Sequence, residues 1–82
     1  MDQVERQIFE IIRQSVGKME LRLEPAMTPA DVPGWDSITH VRIVVALEKR
    51  FNFQFETAEV VRLQSELRRI GDLTKIIHER MK

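Results

Sequence analysis

The residues best suited to chemistry in this chain are Gly-Trp-Asp-Ser-Ile at 34–38. Ser37 offers a hydroxyl at the junction between a proline-bearing stretch and an amphipathic one, where a side chain is exposed and geometrically fixed. Backbone N–H groups at a helix start favour phosphate, so a phosphodiester on this serine would sit in a compatible field. Asp36 and Ser37 are also the residue types that cap helices, and the five residues alone read as a cap before anything else. His40 follows Ser37 by three residues, nearly on the same helix face, and with Asp36 it completes the residue types of a Ser-His-Asp hydrolase. The aspartate adjoins the serine, however, and no glycine-rich nucleophile elbow surrounds it. No catalytic residue is assigned, and His40 is expected to face solvent or a partner.

Composition narrows the chemistry further. The 82 residues contain no cysteine and two histidines, which leaves no thiolate nucleophile, no disulfide framework and no basis for a structural metal site. Thirteen basic residues balance thirteen acidic ones, so no global basic field draws the chain to nucleic acid. Arg42, Lys49, Arg50, Arg62, Arg68 and Arg69 are interleaved with glutamates and read as solvated surface. The longest apolar run, 43–47, is far shorter than the roughly 20 residues of a membrane helix. The opening MDQVERQIFE is too charged for a signal peptide, and a soluble, cytoplasmic protein without membrane insertion is the expectation. A chain this small has little room for both a core and a deep catalytic cleft. A binding or carrier domain, single over 1–82, fits better.

The elements that must position Ser37 can be read from periodicity. Val4, Ile8, Phe9, Ile11, Ile12 and Val16 repeat at helical spacing over 2–17, with Asp2 suited to the start and Gly17 to the end. From 18 to 35 the period fails, and Pro25, Pro29 and Pro33 exclude a continuous helix. Leu21, Leu23, Met27, Val32 and Trp35 are too many apolar residues for a free linker, so the loop is expected to cross the core, with a helical turn near 29–32. Trp35 is expected to anchor it. Residues 36–51 contain β-branched Ile43, Val44 and Val45, but their length and the Ala46–Arg50 composition favour a helix, capped by Asp36 or Ser37 and the most buried of the set. A third helix is expected from Thr57 as N-cap, over a stripe of Val60, Val61, Leu63, Leu67 and Ile70, with Arg68 and Arg69 at its end. Gly71 should break the chain, and Asp72 should cap a last helix burying Leu73, Ile76, Ile77 and Met81, with Lys75, Glu79, Arg80 and Lys82 outside. The expected fold is an all-α four-helix bundle with a long first loop.

Gly-Trp-Asp-Ser-Ile followed by V-x-I-V-V-A-L-E-x-x-F resembles the acyl carrier protein family, whose Asp-Ser-Leu motif opens the second of four helices; Ile38 replaces the leucine here. The resemblance extends to the first helix, the proline-bearing loop and the final I-G-D-L-T-K-I-I. It implies an acyl-carrier-type bundle, a monomer, and a carrier rather than an enzyme. Ser37 would receive 4'-phosphopantetheine from coenzyme A through a phosphopantetheinyl transferase, with Asp36 assisting recognition by that enzyme. The arm's thiol would then hold acyl groups as thioesters for acyl-loading and acyl-transfer enzymes of a fatty acid, polyketide or related pathway. Ile38, Val41, Arg42 and Val45 would dock these partners, and the bundle interior can admit an acyl chain in this family.

Two departures stand out. Fatty-acid carriers have an acidic second helix that docks on basic enzyme patches, whereas Arg42, Lys49 and Arg50 here face a single acid, Glu48, and the acids Glu20, Glu24, Asp31 and Asp36 precede the serine. Reversed charge redirects docking, which points to a dedicated pathway. Residues 56–70 also suggest a third helix about one turn longer than the family's. An aminoacyl or peptidyl carrier, and an unmodified helical interaction module, are the alternatives.

Overall fold

A computed structural model describes residues 3–66 and 69–80, with the side chains at 62 and 64–66 excepted. The chain forms helix α1 (Gln3–Val16), a long loop holding one 3-10 turn (Pro29–Asp31), α2 (Ser37–Phe51), α3 (Thr57–Glu66) and α4 (Gly71–Arg80). No strand occurs among the described residues. This is the expected all-α four-helix bundle. α1 is the central partner, packing on both α2 and α4, while α3 packs on α2. Asp2, Leu67, Arg68, Met81 and Lys82 lie outside the described residues.

Sequence periodicity translates directly into burial on α1. Ile8, Phe9, Ile11 and Ile12 enter the core while Arg6 and Glu10 stay exposed. Gly17 then takes φ +73°, with the Gly17 and Lys18 amides donating to the Gln14 and Arg13 carbonyls at 3.2 and 3.0 Å. A side chain is strained in that backbone region, and glycine closes the helix without one. Asn52 closes α2 in the same left-handed manner, at φ 55°.

The first loop is structural, as its apolar content requires. Leu23 and Val32 are buried, and Leu21, Met27 and Trp35 are packed half-buried against the core. Arg13 Nε donates to the Leu21 carbonyl at 2.6 Å, and the Asp31 carboxylate accepts from the Thr28 N–H and hydroxyl, which holds Asp31 below the usual carboxylate range. At the other end of the bundle, Ile70 N donates to Met27 O at 2.8 Å and Gly71 N to Pro25 O at 3.0 Å. A Cβ on Gly71 would meet the Pro25 ring and carbonyl at 3.0 Å. Close approach of the loop, not a helix break, is what glycine permits there.

Several local expectations are corrected. Gly71 begins α4, and Asp72 lies inside its first turn, its carboxylate accepting from Arg69 N at 3.1 Å. Thr57 is helical from the outset of α3; the residue before it, Glu56, donates its N–H to the Glu59 carboxylate at 3.1 Å. Ile70 is fully buried, but it sits in the turn after α3, so the described helix ends at Glu66 rather than running to 70. Val61 is 60% exposed; Leu63 is buried and Val60 half-buried in its place. As expected, however, α2 is contacted on more than one side, by α1 and α3, while Ile38, Val41 and Val45 remain exposed.

Candidate functional site

The loop and α2 meet at Ser37. Gly34, at φ +87°, turns the chain back beside Val16 at the end of α1, and the Trp35 and Asp36 amides bond to the Val32 and Gly34 carbonyls. Asp36 is extended, its carboxylate accepts from Thr39 N at 2.8 Å, and its carbonyl accepts from His40 N at 2.9 Å. Those bonds make Asp36 the N-cap and hold its carboxyl below the usual range, chiefly through the Thr39 amide.

With Asp36 serving as cap, Ser37 is released from that duty. Its side chain is exposed, it is the first residue of α2, and its hydroxyl has no hydrogen-bond partner among the described residues. The amides of the first helical turn have no intrahelical acceptors; that of Thr39 bonds to the cap carboxylate, and that of Ile38 also helps lower its pKa. The N-terminus of this fifteen-residue helix therefore presents a hydroxyl without a partner among the described residues, beside the cap carboxylate. These features fit a phosphodiester-linked arm on Ser37.

His40 departs from expectation. It is only 6% exposed, and Nδ1 accepts from Trp35 Nε1 at 3.3 Å, with the rings 6.2 Å apart. Because Nδ1 is the acceptor, the neutral ring carries its proton on Nε2, which is buried without a partner among the described residues. Burial holds the imidazole below its ordinary pKa. Asp36 is engaged with Thr39 and His40 Nδ1 with Trp35, which is not the geometry of a Ser-His-Asp relay. Instead His40 fastens Trp35, and with it the loop leading to Ser37.

Ile38, Val41, Arg42 and Val45 are all exposed on α2. At about 100° per residue, Val41, Arg42, Val45 and Lys49 all fall within about 60° of Ile38. They form one continuous outer face descending from Ser37. Glu48, at its edge, is half-buried and accepts from Phe55 N at 2.7 Å. That role is invisible in helical periodicity; the only sequence signal is a lone acid in a basic segment. An open groove of about 560 Å³, lined by Val45, Glu48, Lys49, Asn52, Phe53 and Gln54, continues the face at the C-terminal end of α2. Among the described residues, no three His, Asp or Glu side chains are grouped to hold a metal, and no helix is long and apolar enough to cross a membrane.

Compared with known proteins, the chain matches no protein-family model, no curated protein and no solved structure. Function therefore has to be argued from the residues and their placement.

Proposed function

We propose that this protein is an acyl carrier: a monomeric, cytoplasmic domain that bears 4'-phosphopantetheine on Ser37 and presents thioester-bound acyl intermediates to the enzymes of a dedicated biosynthetic pathway. One observation carries the reading. Asp36 caps α2, and this leaves the adjacent Ser37 hydroxyl exposed at the helix N-terminus, with no hydrogen-bond partner among the described residues. A serine kept only for capping would hold the bond that Asp36 holds. The sequence resemblance adds weight, because the four helices, the long loop and the Asp-Ser-Ile segment stand in the order the family would have.

The division of labour suits a chain with no cysteine. The arm supplies the thiol when bound, and this chain supplies position and recognition. Trp35 and His40 fix the loop, Asp36 fixes the start of α2, and Ser37 holds the attachment oxygen exposed at the helix N-terminus.

The test is direct. Incubation with coenzyme A, Mg²⁺ and a broad-specificity phosphopantetheinyl transferase should add one phosphopantetheinyl group by intact mass, and Ser37→Ala should abolish the addition. If the wild-type chain stays unmodified while a control carrier in the same tube reacts, the reading fails and an unmodified interaction module takes its place.

A further inference from the structure

Ser37 lies inside a short ring of hydrogen bonds that its own side chain does not join. Trp35, just before the cap, donates from Nε1 to Nδ1 of His40, the fourth residue of α2, at 3.3 Å. Within that ring the Asp36 carboxylate accepts from Thr39 N at 2.8 Å and the Asp36 carbonyl from His40 N at 2.9 Å. The inner bonds are those of an ordinary capped helix. The outer one is additional. Trp35 and His40 occupy the two positions whose side-chain contact fixes the angle at which a chain enters a helix, a contact that is usually apolar. Here it is polar, and the fold carries a burden for it: His40 is only 6% exposed and its Nε2 is buried with no partner among the described residues. An orphan buried donor destabilises a fold, and leucine at the same position would have none. What histidine adds over leucine is the acceptor at Nδ1, and that acceptor serves Trp35.

We infer that His40 is a positioning residue for the reaction at Ser37: by accepting from Trp35 it holds the 34–36 approach in the conformation that the modifying transferase binds. The inference rests on the carrier reading of Ser37. In that reaction the Ser37 oxygen bonds to the pantetheine-side phosphorus of coenzyme A, the P–O bond to adenosine 3',5'-bisphosphate breaks, and the hydroxyl proton passes to a base of the transferase. His40 takes no part in these steps, since its ring is buried and Nδ1 is engaged. It orders the segment before the enzyme arrives. Gly34, at φ +87°, can swing over a wide range of backbone angles, and the Trp35 side chain is the anchor next to it. A segment left loose in the free chain has to be ordered on binding, which raises KM for the carrier and leaves kcat nearly unchanged.

The test is steady-state phosphopantetheinylation of the full chain, with coenzyme A and Mg²⁺ saturating and the carrier concentration varied. His40→Leu removes the acceptor and Trp35→Phe the donor. Each should raise KM for the carrier about three- to tenfold, the range that one neutral hydrogen bond is worth, with kcat within about twofold of wild type. The double variant should be no worse than either single one, because both remove the same bond. His40→Asn, whose Oδ1 stands as many bonds from the backbone as Nδ1, should bring KM back to within about twofold of wild type. Circular dichroism checks that each variant is folded; if His40→Leu is not, Trp35→Phe and His40→Asn carry the comparison. Unchanged KM in the single variants, effects that multiply in the double one, or His40→Asn as impaired as Trp35→Phe overturns the inference and leaves the carrier reading standing. A wild-type chain that stays unmodified beside a reacting control carrier overturns the carrier reading, and this inference with it.

Discussion

The two faces of α2 are built from nearly the same side chains and have opposite fates. On the inner face Ile43, Val44 and Leu47 are almost completely buried among the other helices; on the outer face Ile38, Val41 and Val45 are left in water. Hydrophobicity does not separate them, since valine and isoleucine occur on both. Phase separates them: residues on one side of the helix meet α1 and α3, and those about 180° away stay largely exposed. The inner face makes the bundle. The outer face contributes little to stability and is available for recognition, beginning one residue from the hydroxyl proposed as the attachment point.

The sharpest way to break this contrast is to truncate one side chain on each face. Leu47→Ala empties a fully buried site and should destabilise the fold by about 2–5 kcal/mol, a loss of at least about 8 °C in thermal midpoint. Val45→Ala should change stability by less than about 0.5 kcal/mol. Urea titration of the two variants side by side measures the difference; equal losses would mean that the outer face is packed after all.

Smaller in effect is the contact that presses the first loop onto the bundle. Gly71→Ala forces a methyl group against Pro25 and should cost about 1–3 kcal/mol. Amide exchange should quicken at Ile70 and Gly71, whose N–H groups hold the loop. Unaltered exchange there would show that the approach is loose.

The smallest effect concerns the inner end of α2 beside Ser37. His40 has a folded pKa lowered by burial, so the unfolded chain binds the proton more readily. Its neutral form therefore contributes fully above the unfolded value of about 6.5. That contribution declines as pH falls from there through the lower folded value, and it does not decline further below it. Protonation also puts a donor on Nδ1 and breaks the bond from Trp35. Tryptophan fluorescence should report a more solvated Trp35 in acid, and His40→Gln should lose this pH dependence below about 6.5. An identical acid response in the variant would place the titration elsewhere.

Much of this architecture is legible in one dimension. The period of α1, the breakdown of period across three prolines, and the pairing of Asp36 with a following helix all rest on interactions within a few residues, and the chain adopts them. The placement of the site residues is legible to the same extent: Asp36 caps α2, and Ser37, Ile38, Val41, Arg42 and Val45 are exposed on it. His40 was misread because spacing alone cannot tell a polar residue on the margin of the buried face from one on the exposed face. A partner five residues earlier, Trp35, makes its burial tolerable. Val61 was misread for a similar reason, since Val60 and Val61 fit the third helix's stripe almost equally well and only packing against α2 selects Val60.

By itself, then, the sequence determined the helices, the long loop and the residue at their junction, because caps, prolines and periodic apolar positions act over distances of one or two turns. Tertiary structure alone decided which of Asp36 and Ser37 is the cap, what glycine does at 71, and where Glu48 turns. Each of these depends on contacts between residues distant in sequence or on competition for one donor. The surface at the end of α2 is the joint product: sequence supplied Arg42, Glu48 and Lys49, and the fold engaged Glu48 with the Phe55 amide while leaving the two bases exposed.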